Sequence, residues 1–473
     1  MTDQTEHSLP ELLDIEPRIK PPVDPGFRPV ILAHKNYMAA VEKSGLGLPV
    51  RIAVERESGL VSIYETRVLP VESASLEATR LFVERIVKFL LWSRGGWKIY
   101  FQGPAEIGRY IRDVYAAGGP RSFDIELMGH RVYDREFSVV LSGEKDFPSP
   151  KNMGTALGGN LEGCRIGFDL GASDYKVAAV KDGDPVFSEE IPWNPQQQPD
   201  PQYHYDHIRS GLKKAASRLP RVDAIGGSSA GIYINNQVRI ASLFRAIPVD
   251  VFENKVKGMF LEMKKEWGVP FEVINDGEVT ALAGTMSFGD TAMLGTAMGS
   301  SLAGGYLNTE GHIPGWLDEL AFAPVDISPS AAVDEWSGDR GVGAMYFSQQ
   351  AVNKLALLSG FQFPESQKLP DRLKHVQELA EKGDGRAGRI FESIGVYLGY
   401  TIPYYAEFYD FRNLMVLGRV MSGVGGDKIV ETAKKVLSQE FADLAGRITI
   451  HLTDEKSRRV GQAVAAASLP EIK

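Results

Sequence analysis

From Cys164 onward the chain is written as short apolar strands broken by turns of very small residues, and that texture leaves little choice of fold. CRIGFDLGASDYKVAAVKDGDPVF reads as strand, glycine turn, strand, tight turn at Lys181-Asp182-Gly183-Asp184, strand. A helix over about 205–219 follows, then the strand VDAIGGSSAG, a helix over 251–267, the strand PFEVIND and a helix opening at Gly277. A second glycine-rich strand pair, MLGTAMGSSLAGGYL, starts a second series. Its helices fall at 344–358, 370–382 and 386–408, and the strand LMVLGRV and a final helix over 457–467 close the chain. Strands alternating with helices in this way specify an α/β protein.

The first series, β-β-β-α-β-α-β, is the order of one half of an actin-like, ribonuclease-H-like fold. The expected architecture is therefore two such lobes, at 161–285 and 286–473, with the last helix returning to the first lobe. At 473 residues the chain has room for about three domains of ordinary size, so residues 1–160 form an additional N-terminal α+β domain. There a period-two stretch, RIAVERESGLVSIYETRVL, reads as a hairpin turning at Ser58-Gly59. An amphipathic helix over 75–92 follows, capped by Ser73 or Ser75, then the strand WKIYFQG and the helix PAEIGRYIRDVYAAGG. Residues 1–26, rich in proline and acids, read as an arm on the surface, and 142–163 as a linker. The unit is either a degenerate copy of the half-fold or a dimerisation module, which leaves a homodimer open.

Charge excludes some partners. With 52 basic against 61 acidic residues the net charge is −9, and neither residues 1–160 nor the remainder is basic, so no nucleic acid partner is expected. Neither a membrane-spanning run nor a secretory signal is legible, which points to a cytoplasmic protein. A single cysteine, Cys164, excludes disulfides and multi-cysteine zinc sites.

Three constellations could carry chemistry. In Asp169-Leu170-Gly171-Ala172-Ser173-Asp174-Tyr175-Lys176 an acid ends a strand and small residues turn the chain, which lets backbone N–H groups approach phosphate while the carboxylate holds water around Mg²⁺. A plain hairpin is the competing reading. Gly295-Thr296-Ala297-Met298-Gly299 makes a second small-residue turn, able to grip a polyphosphate from the other side. Asn275-Asp276 ends a strand just before a helix, where an Asp suits abstraction of a proton from an attacking hydroxyl. A helix cap is the alternative there.

These segments, from Arg165 to about Ala467, resemble the ROK family of sugar kinases and sugar-responsive repressors. DLGAS resembles its first phosphate turn, INDGEVTALAG its N-D-x-N-x-x-A-x-G-E motif, and LGTAMGSSLAGGYLNTEGHIPGWLDEL its second phosphate turn running on to a sugar-binding Glu. SSAGIYINNQVRIAS is similar to the segment that borders the sugar, VLGRVMSGVGG to that beside adenosine, and VGQAVAAAS to the closing helix. The resemblance implies an ATP- and Mg-dependent kinase of a sugar or polyol hydroxyl. Asp276 would be the catalytic base, Asn275 and Glu319 sugar ligands, and Ser229 and Gly231 would border the sugar. Gly171, Ser173, Gly295 and Thr296 would surround phosphates, Asp169 would stand near the metal, and Gly418 and Gly423 would flank adenine and ribose.

The departures are specific. Phe322 replaces a histidine that helps bind sugar and, in many members, zinc, and the family's cysteine cluster is missing, so no zinc is expected. Ala172 stands for the usual second glycine of the first turn, and Asp174 adds a negative charge there unless Lys176 or Mg²⁺ offsets it. His204 and His207 are spaced for a metal but read better as a helix start, and Arg340 reads as a loop arginine rather than a phosphate ligand. Two other functions stay open: a non-catalytic sugar or nucleotide sensor, and an actin-superfamily ATPase that acts through a protein partner.

Overall fold

The structure is a computed structural model that describes residues 9–72, 75–153, 157–452 and 455–472, with the backbone alone at 455–460. Ser73, one of the two expected caps, lies outside the described residues; Ser75 is the cap position of the helix Leu76–Arg94, although its hydroxyl bonds back to Pro70 rather than into the helix.

In the first lobe, β5 (Cys164–Leu170), β6 (Asp174–Lys181) and β7 (Asp184–Pro192) form an antiparallel meander. β8 (Ala224–Ser229) and β11 (Phe271–Asn275) then add parallel to β5, giving the order β11-β8-β5-β6-β7. A two-stranded hairpin, β9 (Ile232–Ile234) and β10 (Gln237–Ile240), connects them. One face carries a core of its own, built on Phe168, Tyr175, Leu212, Phe260 and Phe271. The other takes the final helix, Glu455–Ala467, at a distance only glycine permits: a side chain at Gly167 or Gly226 would begin 1.7 Å from a carbonyl oxygen of that helix.

The second lobe has the smaller sheet. β12 (Met293–Met298) and β13 (Leu302–Leu307) pair antiparallel, β14 (Asn413–Leu417) lies parallel to β12, and β15 (Thr449–Leu452) parallel to β14. The order is β13-β12-β14-β15, without the third antiparallel strand of the first lobe. In its place residues 308–348 run irregularly toward the N-terminal unit and bond to it: Val30 N–H to Val325 O, Ile327 N–H to Arg28 O, Asp318 N–H to Ser93 O and Glu319 N–H to Trp92 O.

That N-terminal unit holds the expected hairpin, β1 (Leu48–Glu55) with β2 (Val61–Val68), then β3 (Lys98–Gln102) and β4 (Ser138–Leu141) in the order β2-β1-β3-β4. β1 and β3 are antiparallel, whereas the corresponding β12 and β14 are parallel, so the unit is no copy of the half-fold. Nor does it keep a separate core. One continuous apolar cluster runs from Leu13 and Phe82 through Phe322 to Tyr397 and Ile450. Of the expected arm, residues 9–26 do not lie on the surface as an arm; residues 1–8 lie outside the described residues. Leu13 and Phe27 are buried, Ile19 N–H bonds Tyr400 Oη, Val23 N–H bonds Ser393 Oγ, and Asp24 accepts from Tyr397 at 2.6 Å. Sequence reading also passed over two helices, Val30–Ser44 and Gly423–Glu440.

Candidate active site between the two lobes

Parallel strands in an open α/β sheet deliver their residues to one edge, the carboxyl end. Here β5, β8 and β11 end in register, with Asp169 beside Ser228, and Leu170 beside Ser229 beside Asn275. Asp169 is buried; one oxygen accepts from Ser228 Oγ at 2.7 Å and the other lies 3.3 Å from Lys176 Nζ. Lys176 also stands 3.5 Å from Asp174, so this lysine balances the acid that departs from the family's pattern. The first turn is closed on itself: Gly171 N–H bonds Asp174 O, Ser173 Oγ donates to Asp174 at 2.8 Å, and Gly171 O accepts from Trp193 Nε1.

Asn275 serves as the helix cap and more. Its Oδ1 accepts from Gly277 N–H and its Nδ2 donates to Gly231 O, both at 2.7 Å, which leaves one N–H and one lone pair for a ligand. Gly231 has φ 125°, and a side chain there would begin 2.2 Å from Ile240 O, so the close turn that presents its carbonyl requires glycine. Asp276 is the first residue of the next helix, Asp276–Phe288, and only partly exposed. Burial, then the nearby Asp169, raises its pKa to about 6, so it is a carboxylate at neutral pH yet basic enough to take a proton. Ser229 is fully buried and bonded to Tyr233 Oη at 2.6 Å. It therefore borders the site through Tyr233, a residue missed in the sequence, whose hydroxyl is pushed up by burial and feels Asp276.

Across the cleft, burial first, then Asp276 and Asp318, raises Glu319 to about 8, which makes it chiefly a protonated donor at neutral pH. Its backbone hangs from Trp92 O at the end of the helix Leu76–Arg94. Asp318 adopts φ 51°, is raised to about 6 by burial, and accepts from Tyr409 Oη at 2.7 Å. Glu278, also missed, is buried in the first turn of the Asp276 helix and is held well above the usual carboxylate range by burial and by Asp318.

Two expected phosphate ligands are misplaced. Gly295 lies mid-strand, where its missing side chain makes room for Ala281 at 3.3 Å, and Thr296 is buried with its hydroxyl directed at Met415 O. The exposed bend is Gly299-Ser300-Ser301, between β12 and β13. Gly418, at φ 105°, abuts that bend: a side chain would begin 2.4 Å from Met298 O. Gly423 opens the helix Gly423–Glu440, whose next N–H, on Val424, already bonds Glu381 at 3.0 Å.

Where the resemblance puts a metal-binding histidine, Phe322 packs on Trp92 with ring centroids 4.3 Å apart, and on Trp336 at 5.3 Å. The following loop is tied down by charge. Asp339 lies 2.8 Å from Lys88 and 2.6 Å from Arg121, while Lys88 also meets Asp124 at 3.0 Å and Arg121 meets Glu84 at 2.7 Å. Burial opposes the charge on Lys88, but Asp124 and Asp339 outweigh it and hold the lysine above its usual pKa. Arg340 is exposed and its guanidinium bonds Ala331 O. His204 is buried against the carbonyls of Pro195 and Leu243, and among the described residues no group of three His, Cys, Asp or Glu side chains is arranged for a metal.

Two lobes with an acid at the mouth of the cleft define the actin-like ATPase fold, and solved structures share it. A ROK hexokinase from Thermus thermophilus superposes with a TM-score of 0.51 at 15% identity, over 64% of this chain and 97% of its own. A ROK-family transcriptional regulator, a homologue of the E. coli MLC protein, superposes equally, at 0.51 and 18% identity, over 65% of this chain and 79% of its own. No family model matches the sequence, and no curated protein matches it. The chain thus has the fold of the ROK proteins, a fold shared by an enzyme and a regulator.

Proposed function

We propose that the protein phosphorylates a hydroxyl of a sugar or polyol at the expense of ATP. The observation that supports this most is the placing of Asp276: at the carboxyl edge of three parallel strands, beside Asn275, opposite Glu319, and with a pKa of about 6. In the reaction the acceptor hydroxyl would give its proton to the Asp276 carboxylate while its oxygen bonds the γ-phosphorus. The bond from that phosphorus to the β–γ bridging oxygen breaks, and ADP leaves. Asn275 and Glu319 would orient the acceptor, and Glu319 as a neutral donor adds no charge to repel phosphate. The turns at 171–174 and 299–301 would flank the triphosphate, with Lys176 offsetting its charge.

Asp169, already oriented by Ser228, fits Mg²⁺ held through water, since that ion needs only one or two carboxylates beside phosphate. When bound it supplies charge compensation on the phosphates. An ADP-release screen over hexoses, amino sugars and polyols tests the reading: turnover should appear with one class and vanish in Asp276→Asn, and normal turnover in that variant would refute the role of the acid.

A sensor reading has one specific support. The first turn has committed Ser173 and Lys176 to Asp174. Titration with ATP, with and without Mg²⁺, discriminates: no binding removes the kinase, and hydrolysis without an acceptor would favour a partner-coupled ATPase.

A further inference from the structure

Arg56 follows β1 directly, in the N-terminal unit, and is 2% exposed. Its Nη1 donates to Ser62 Oγ at 3.1 Å and to Arg94 O at 3.4 Å, but Nε and Nη2 are buried without a partner. Burial lowers its pKa, and the opposing pull of Tyr133 and Asp318 does not make up for it. Among the described residues no carboxylate stands within ion-pair distance of it. Nε and Nη2 form one edge of the guanidinium, the two-pronged edge that fits a carboxylate or phosphate side-on.

This unfilled edge belongs to a residue lining a groove of about 900 Å³. The groove runs along β11, between the β9–β10 hairpin and the N-terminal unit, and also touches Gly231, Asn275 and Glu278. Asn275 is the residue left with one N–H and one lone pair for the acceptor, and it lines the same groove as Arg56. Three other ionic groups on its walls are already paired: Glu57 with Arg135 at 3.7 Å, Glu272 with Lys264 at 3.2 Å, and Asp223 with Arg221 at 2.8 Å. Glu278 is held well above the usual carboxylate range by its burial. Arg94, beside Arg56, is likewise stacked on Trp316 with Nη1 unpartnered. A buried guanidinium with two unmade hydrogen bonds is unfavourable unless something fills them. Asp318 does not: it bonds Tyr409 and leaves its own second oxygen unpartnered.

We propose that the ligand of this groove is an anionic sugar, and that Arg56 grips its carboxylate or phosphate through Nε and Nη2. The N-terminal unit would then select the acceptor. The proposal rests on the kinase reading for what is done to the ligand, but not for its binding.

Calorimetric titration of the full chain with D-glucuronate, D-glucose 6-phosphate and D-glucose tests it, with ADP release measured on the same samples. One of the two anions should bind at least about tenfold tighter than D-glucose, and which one tells carboxylate from phosphate. Arg56→Met should weaken that anion about a hundredfold and D-glucose little, as expected when a buried charged partner is truncated. Arg56→Lys, which keeps the charge but not the fork, should fall between, and guards against a fold defect in the first variant. Equal binding of D-glucose and both anions, binding of neither anion, or an anion advantage that survives Arg56→Met would overturn the proposal. Anion binding without ADP release would refute the kinase and spare Arg56; turnover of D-glucose without anion preference would do the reverse.

Discussion

The two lobes differ in how they stand up. The first closes its own core between a five-stranded sheet and its helices, and it carries Asp169 and Asn275 on strand ends fixed by the ladder itself, with Asp276 opening the next helix. The second has four strands, and its apolar cluster is continuous with the N-terminal unit. Its contribution to the site, Asp318-Glu319, rides on an irregular stretch bonded to the carbonyls of Trp92 and Ser93. Chemistry can be mounted on a sheet edge without help, while a gripping residue on a long loop needs an external brace. In this chain the brace is a helix, an aromatic cluster and a buried ion network in the region where the resemblance implies zinc.

The comparison can be broken experimentally at several points. If the self-supporting lobe carries the chemistry, Asp276→Asn should lower kcat by about 10²–10⁴-fold, with an unchanged circular dichroism spectrum. Loss of ligand binding as well would mean the acid is part of the grip. If the N-terminal unit braces the second lobe, Asp339→Ala should destabilise the protein by about 3–5 kcal/mol in urea unfolding, because Lys88 and Arg121 lose a buried partner. Any residual activity should show a raised KM for the acceptor more than for nucleotide. A raised nucleotide KM alone would place the brace elsewhere.

Smaller effects sharpen the picture through pH. If Asp276 takes the proton as a carboxylate, the acid limb of kcat should turn at a pH of about 6 and vanish in Asp276→Asn. Glu319 is raised from 4.5 to about 8, so the folded chain retains a proton that the unfolded chain releases, and its contribution to stability declines as pH rises through that window. Glu319→Gln should therefore stabilise the protein at pH 9 by about a few kcal/mol, read as a higher melting temperature, with the gain fading toward pH 4.5. The smallest effect falls on the first turn. Asp174→Asn should tighten nucleotide binding by a few tenths of a kcal/mol, of the order of an exposed charge pair, as read by calorimetry.

The strand ends that place Asp169 and Asn275-Asp276 at one edge were legible because the pattern is local: an apolar run, then the polar residue, then small residues. Gly295 and Thr296 misled because a glycine in such a run signals either a turn or a close helix, and here Ala281 supplies the helix. The helix Gly423–Glu440 was hidden by glycines at its start, where Gly425 and Gly426 let Phe391 and the Met421 carbonyl approach. Tyr233, Glu278 and Arg56 matter through long-range packing, which no spacing announces. The role of residues 1–160 was beyond sequence reading for the same reason, since Trp92 and Lys88 act on partners more than two hundred residues away.

The decisive observation is a crystal structure with a non-hydrolysable ATP analogue and Mg²⁺. The γ-phosphate should lie between the bends at 171–174 and 299–301 and face Asp276 across the space of one acceptor hydroxyl. A triphosphate bound anywhere else, or a first turn that stays sealed by Asp174 and Lys176 with no nucleotide in the cleft, would contradict the enzyme and leave only its fold.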